Sequence, residues 1–144
     1  MAALVLPLAL AGACGGSDPS PEQQIRQAVH EVIEAIEAKE PQHLLRHVAF
    51  DYRGDNGLEY ADVQSLVLAF LLREGTPLAT LETLHVDKAD AGGRHRVRMQ
   101  VSFGQGSPGS DLVPADRATS YAFDLTFARG EEHWQAVAGS YRRR

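Results

Sequence analysis

The chain has 144 residues, of which 44% are hydrophobic and 23% are charged, and its formal net charge is −5. This composition is that of a folded globular protein and excludes wholesale disorder. The acidic balance argues against general nucleic-acid binding. The length allows one domain with a core and is too short for two, and a single cysteine excludes an intramolecular disulfide.

The N-terminus carries the strongest functional signal. Residues 4–13 form an apolar run that ends in small residues directly before Cys14 and is followed by Gly, Ser and Asp. The run is too short to span a bilayer, and its pattern is typical of a signal peptide. Residues 10–14, Leu-Ala-Gly-Ala-Cys, resemble a bacterial lipobox, which implies cleavage before Cys14 and acylation of its thiol. The alternative is a small buried cysteine near an apolar chain end.

This segment also predicts domain organisation and location. We expect residues 1–13 to be a lipoprotein signal peptide, residues 14–19 a lipidated cysteine with a flexible tether, and residues 20–144 the folded domain. The domain would be held at a membrane by acyl chains on Cys14. Gly15 rather than Asp after the cysteine resembles lipoproteins sent to the outer membrane. The expected location is therefore the cell envelope, on the periplasmic side of the outer membrane.

The first half of the domain predicts three helices. Ser20, Pro21 and Gln23 form a helix start with a capping box, and an apolar stripe from Ile25 to Ile36 follows at helical spacing. A second helix is expected over Gln42–Phe50. A third, expected to be well buried, spans Tyr60–Glu74.

Beyond Pro77 the hydrophobic period becomes alternating, which predicts a sheet with hairpin turns at Ala91-Gly92 and Arg129-Gly130. An antiparallel pairing satisfies both faces of two strands in one register. Its pairs are Val97 with Leu125, Met99 with Phe123, Val101 with Tyr121, and Arg98 with Asp124. The Gly104–Ala118 connection is rich in Gly, Ser and Pro, which predicts either a functional flap or a mobile edge, with the mobile edge favoured.

The final strand is expected to extend the same apolar surface. A two-residue turn at Arg129-Gly130 would place Trp134 beside Leu125 and Ala136 beside Phe123, with Ala138 also facing inward. On the opposite face we expect a polar row of His85, Arg98, Asp124 and Gln135, with Asp87 and Arg96 paired beside it. Cross-strand charges of this kind stabilise a sheet modestly.

The order of elements resembles the nuclear transport factor 2-like, or SnoaL-like, superfamily over roughly Pro21 to Arg143. The resemblance rests on this order, on the Phe50-Asp51-Tyr52-Arg53-Gly54 stretch, and on a final strand bearing Trp134. It implies an α+β, cone-shaped fold in which three N-terminal helices pack on a curved antiparallel sheet of about four strands. The interior of such folds often holds an apolar pocket, used for catalysis, for binding or for dimer contacts.

The inward strand positions are almost entirely apolar, which weighs against acid/base catalysis there. The predicted pocket-lining residues are Met99, Val101, Tyr121, Phe123 and Trp134. The candidate catalytic residues are His47, Asp51, Tyr52 and Tyr121, although an Asp and a Tyr after a helix commonly cap and pack. His43 and His47 lie one helical turn apart, but two ligands do not make a metal site, and neither metal nor cofactor is expected.

Three functional hypotheses follow. The leading one is a non-enzymatic, membrane-anchored domain that binds a small apolar ligand or another protein. The second is a small-molecule isomerase, dehydratase or cyclase that uses the pocket. The third is a homodimer that pairs through its outer sheet face, at a cost in desolvated charge.

Overall fold

The computed structural model describes residues 18–73, 75–106 and 119–144. Within these residues the chain forms three helices and five strands, which confirms the predicted α+β class. Their bounds are α1 Pro21–Glu37, α2 Pro41–Leu45, β1 Val48–Gly54, α3 Tyr60–Leu71, β2 Thr76–Val86, β3 His95–Gly106, β4 Thr119–Arg129 and β5 Trp134–Arg143. The predictions for the signal peptide and Cys14 lie outside the described residues, as does most of the Gly104–Ala118 connection.

Helix α1 begins where the sequence predicts. The Gln23 backbone N–H donates to Ser20 Oγ at 3.2 Å, and the Ser20 N–H donates to Gln23 Oε1 at 2.9 Å. This reciprocal capping box satisfies donors that a helix start otherwise leaves without partners. Ile25 and Val29 on the apolar stripe are buried in the core. The stripe therefore attaches the helical layer to the sheet.

The second helix is shorter than predicted, and the last three residues of the predicted range belong to a strand. Helix α2 ends at Leu45, and Val48–Gly54 forms strand β1, which pairs parallel to β5. The apolar residue Val48 satisfies a helical and an extended period equally, so the local pattern does not separate them. Pairing with β5 decides the outcome, because the edge of the sheet supplies hydrogen bonds that the sequence pattern does not reveal.

The strands that the structure describes form a sheet in the order β1-β5-β4-β3-β2, so the expectation of about four strands is wrong by one. All neighbours except β1 and β5 are antiparallel. The predicted register of β3 and β4 is confirmed in each of its pairs: Val97 with Leu125, Met99 with Phe123, Val101 with Tyr121, and Arg98 with Asp124.

The charged residues of the outer sheet face pair diagonally. The Arg96 guanidinium donates to both carboxylate oxygens of Asp124 at 2.9 and 2.5 Å, and Arg98 contacts Asp87 at 3.2 Å. The predicted row of His85, Arg98 and Asp124 is confirmed in register. The hydrogen bonds from Arg96 hold the pKa of the Asp124 carboxyl below its ordinary value.

The predicted register of β5 is wrong. The connection from β4 runs over residues 130–133 rather than through a two-residue turn, and the Gly130 N–H donates to the His133 carbonyl at 2.8 Å. The partners of Trp134, Gln135 and Ala136 are Arg129, Ala128 and Phe127, rather than Leu125, Asp124 and Phe123. A longer loop moves the start of β5 along β4 by an even number of residues, so the inward face of this first part is unchanged.

A β-bulge at Val137 then exchanges the two faces of β5. Past the bulge, Gly139 and Tyr141 take the inward face, and Ala138, which the sequence predicts inward, takes the outward face. A bulge inserts one residue into one strand, so an alternation counted from Ala136 fails beyond it.

We expect Gly139→Ala to lower the free energy of unfolding by about 1–3 kcal/mol, the usual cost of overpacking. A Cβ at this position would lie 2.8 Å from the Asp124 carbonyl oxygen and would overlap the Leu125 side chain. Urea unfolding measures the effect. Gly92→Ala is the matched control, because its Cβ would have Asp90 Oδ1 at 3.4 Å as its nearest neighbour. Equal losses in the two variants would contradict the close approach of β4 and β5.

Candidate ligand-binding site

A large apolar cavity lies between the inner face of the sheet and helices α1 and α3. Its volume is about 860 Å³. The helices contribute Val29, Ile33 and Val67 among others, and the strands contribute Met99, Val101 and Phe123. This size falls within the range of about 300–1,000 Å³ that is usual for sites of small molecules.

Helix α3 forms a loosely packed wall of the cavity. The helix was expected to be well buried, but Leu71 is its one buried residue, and Val63, Val67 and Phe70 are half-buried. Leu66 also lines the cavity and is 51% exposed. Part of the apolar face of α3 therefore meets the cavity rather than other side chains, which explains why a helix with so apolar a sequence remains accessible.

Aromatic rings form the floor of the cavity at one end. Phe103, Tyr121, Phe123 and Tyr141 contact one another with ring centroids 5.9 to 6.2 Å apart. Phe70 of α3 meets Phe103 edge-on at 5.5 Å. Edge-on and tilted pairs leave ring faces available for a further aromatic or aliphatic group.

Tyr52 brings a hydroxyl group to the cavity lining. Its side chain is buried on β1. Burial raises the pKa of the Tyr52 phenol, and the nearby charge of Asp55 and the phenol of Tyr141 raise it further. The phenol is therefore neutral at physiological pH and acts as a hydrogen-bond donor rather than as a base.

His47 also lines the cavity, but the protein engages both of its ring nitrogens. Nδ1 lies 3.0 Å from the backbone oxygen of Trp134, and Nε2 lies 3.0 Å from Oε2 of Glu31. A carbonyl oxygen only accepts hydrogen bonds, so Nδ1 is the donor in the first contact. His47 is 3% exposed and ties α1 to β5. It is held as a structural group, with neither nitrogen directed at a ligand.

The structure brings three of the four candidate catalytic residues, His47, Tyr52 and Tyr121, to the lining of one cavity and leaves Asp51 outside it. Asp51 is exposed and lies outside the cavity lining, whereas its neighbour Tyr52 is buried in it. The reason is that these residues lie on a strand, where successive side chains point to opposite faces. Tyr121 lines the cavity from β4. Tyr52 and Tyr121 therefore share the lining with a histidine whose two ring nitrogens the protein engages, and the expected acid, Asp51, is not beside them.

Four of the five residues predicted to line a pocket do line this cavity, namely Met99, Val101, Tyr121 and Phe123. Trp134 lies elsewhere: its Nε1 donates to Gln24 Oε1 at 2.7 Å, and its ring meets His95 edge-on. The longer β4–β5 connection moves Trp134 to the end of the sheet where β4 ends and β5 begins, which is called the closed end below.

Sequence reasoning also missed Tyr141 as a lining residue. It reaches the inward face because of the bulge at Val137. Gly139 is the sequence signal for this, since a glycine inside a strand pattern often marks a bulge or a close backbone approach.

Among the described residues, no three His, Cys, Asp or Glu side chains converge as metal ligands would. His43 instead pairs with Glu40 and is exposed. No helix within this part of the chain is long and apolar enough to cross a membrane.

Comparisons with solved structures give clear likenesses at low sequence identity. Aln2 from a Streptomyces species has a TM-score of 0.69 at 15% identity, over 87% of this chain and 93% of that chain. A nuclear transport factor 2-like protein of unknown function from Pseudomonas putida has a TM-score of 0.66 at 14% identity, over 83% and 84%. A protein from Novosphingobium aromaticivorans, provisionally named a scytalone dehydratase, has a TM-score of 0.66 at 10% identity, over 84% and 82%.

Sequence comparisons add nothing to this result, because no protein-family model and no curated protein matches the chain. Identities of 10 to 15% carry the fold and not an activity. The structural likenesses support the resemblance found in the order of the sequence elements. The described residues therefore have the fold of nuclear transport factor 2-like proteins.

Proposed function

We propose that the protein is a membrane-anchored bacterial lipoprotein whose domain binds a small, largely apolar ligand. The observation that carries the binding proposal is the apolar cavity of about 860 Å³ beneath α3. Apolar surface left facing water costs free energy, so a cavity of this size is a site whose occupancy by an apolar molecule is favourable.

The polar groups of the cavity limit the chemical class of the ligand further. The neutral Tyr52 phenol is a donor, and Tyr121 and Tyr141 add hydroxyls at the aromatic end. A few polar groups in an apolar pocket orient a ligand and select for a matching acceptor. The ligand that fits is an apolar body bearing a carbonyl or hydroxyl oxygen.

The anchor is proposed from the sequence of residues 1–19. The apolar run, the lipobox-like residues before Cys14 and the short polar tether support lipidation of that cysteine. We place the domain at the outer membrane on its periplasmic side because Gly15, rather than Asp, follows Cys14.

The second candidate is a small-molecule isomerase, dehydratase or cyclase. The buried Tyr52 donor favours it, because a donor in an apolar pocket also stabilises negative charge on a substrate oxygen. One protein of this fold is provisionally named a scytalone dehydratase. Binding remains the better-supported function, because His47 is engaged on both nitrogens and Asp51 lies outside the cavity lining.

We expect Val67→Trp to weaken binding of the neutral probe N-phenyl-1-naphthylamine by about tenfold or more, because the indole would occupy cavity space that the probe needs, and each 1.4 kcal/mol or so is a factor of ten. Probe fluorescence measures the binding. Leu68→Trp is the matched control, because Leu68 follows Val67 on the same helix but does not line the cavity. A probe that binds both variants as it binds the unaltered chain would contradict the site.

A second expectation concerns the Tyr52 hydroxyl. The chain should bind 2-acetylnaphthalene more tightly than 2-ethylnaphthalene, by about fivefold for one net hydrogen bond of roughly 1 kcal/mol. Tyr52→Phe should remove this preference and leave 2-ethylnaphthalene binding unchanged. Competition with the fluorescent probe gives both affinities. If the variant keeps the preference for the ketone, Tyr52 is not the donor.

Lipidation predicts an intact mass for the mature chain that begins at Cys14 and carries acyl groups. Mass spectrometry of the protein purified from its own membranes measures it, with Cys14→Ser as the control that should lose the added mass. An unprocessed chain of unmodified mass would overturn the anchor and leave the cavity proposal standing.

A further inference from the structure

One end of the cavity has an unusual charge. This end, called the open end below, is lined by Arg73, Thr119 and Tyr141. Arg73 follows α3, and three consecutive arginines, Arg142–Arg144, lie at the end of β5, in a chain whose net charge is −5. All four are exposed, and none forms an ion pair with a carboxylate of the described residues. Among the described residues, positive charge therefore lies at the cavity lining through Arg73 and at the end of β5 through Arg142–Arg144.

Some other arginines of the described residues pair with carboxylates, whereas Arg26 and Arg129 donate to backbone carbonyls instead. Arg46 contacts Glu31 at 3.3 Å, Arg98 contacts Asp87 at 3.2 Å, and Arg96 binds Asp124. Each of these three cations has its counter-charge beside it. Arg73 differs from all of these arginines because it lines the cavity and has no carboxylate partner among the described residues.

Arg73 belongs to the cavity itself. It lines the cavity, and its guanidinium carbon lies 6.0 Å from the centre of the Phe70 ring. Phe70 in turn packs edge-on against Phe103 of the aromatic floor. Lys39 adds a second charge, because its Nζ donates to the Arg73 carbonyl at 3.3 Å. The cation is thus positioned directly above the apolar surface.

Arg143 reaches the same opening from the sheet. It pairs with Tyr121 in the register of β4 and β5, which places it on the inward face beyond Tyr141. The Arg144 N–H donates to the Ser120 carbonyl at 2.8 Å and holds the end of the strand against β4. Arg142 pairs with Ala122 and lies on the outward face. Arg73 therefore lines the cavity, and Arg143 lies on the inward sheet face opposite the lining residue Tyr121 at the same end.

We infer that the ligand is an anionic amphiphile, whose apolar chain or ring system enters the cavity while its carboxylate or similar anion meets Arg73 and Arg143 at the opening. This inference rests on the proposed binding function and names its ligand class. The apolar lining excludes a free inorganic anion from the interior, and the arginines favour a charged head over a neutral one. A guanidinium also matches the planar geometry of a carboxylate.

The experiment compares decanoate with decan-1-ol, which share a chain and differ in the charge of the head. Each displaces N-phenyl-1-naphthylamine from the full chain carrying Cys14→Ser. The unaltered site should bind decanoate about tenfold more tightly than decan-1-ol, the modest gain expected of charges that remain partly in water. Higher salt should reduce this preference, because exposed charges are screened.

The variant Arg73→Gln with Arg143→Gln should lose the preference for decanoate and keep its affinity for decan-1-ol. The control, Arg94→Gln with Arg129→Gln, changes the net charge equally. Arg94 follows the β2–β3 turn, and Arg129 ends β4 opposite Trp134, so both lie at the other end of the sheet. The control should keep the preference.

The outcomes separate this inference from the proposed function. If decanoate and decan-1-ol bind equally, or if the preference survives loss of Arg73 and Arg143, the inference is overturned and apolar binding stands. If neither displaces the probe and Val67→Trp has no effect, both are overturned. Arginines that bind anionic vesicles but give no preference for decanoate would serve the membrane surface and would also overturn the inference.

Discussion

The curvature of the sheet is the constraint on which the rest of the structure depends. Strand β2 has an extra residue at Glu82 and β5 at Val137, and the pairing of β1 with β5 shifts register between Val48 and Arg53. Bulges bend a strand and increase its twist. A bent sheet presents a concave apolar face, and α1 and α3 cover this face without filling it. The cavity lies between these two helices and the concave face.

The two ends of the concave face are built differently. At the closed end, buried polar groups are satisfied by the protein: His95 Nδ1 donates to the Asp87 carbonyl at 2.8 Å, and Trp134 Nε1 donates to Gln24. His47 is likewise held by Glu31 and by the backbone. These hydrogen bonds hold the side chains of the closed end in place and engage polar atoms that a ligand would otherwise contact. The open end carries aromatic rings, hydroxyls and arginines that have no carboxylate partner among the described residues, so recognition is expected there.

Part of this arrangement could be predicted from the sequence. The register of β3 and β4 follows from it, because apolar pairs on one face and Arg98 with Asp124 on the other agree in a single alignment. Strand β1 does not follow from the sequence, because Val48 suits a helix and a strand equally. Its pairing with β5, which is distant in the chain, decides between them. The inward position of Tyr141 was missed because a count of alternating residues does not detect the bulge at Val137. A pattern of apolar residues predicts which face is inward, but not whether helices fill it.

The most direct test of the account is a crystal structure of the chain grown with N-phenyl-1-naphthylamine. The account predicts the probe between α3 and the inner sheet face, in contact with Val67 and Phe123, with the backbone of β5 unchanged. A structure in which α3 packs down onto the sheet and the probe lies elsewhere would contradict it, because the apolar face would then be filled by the protein itself.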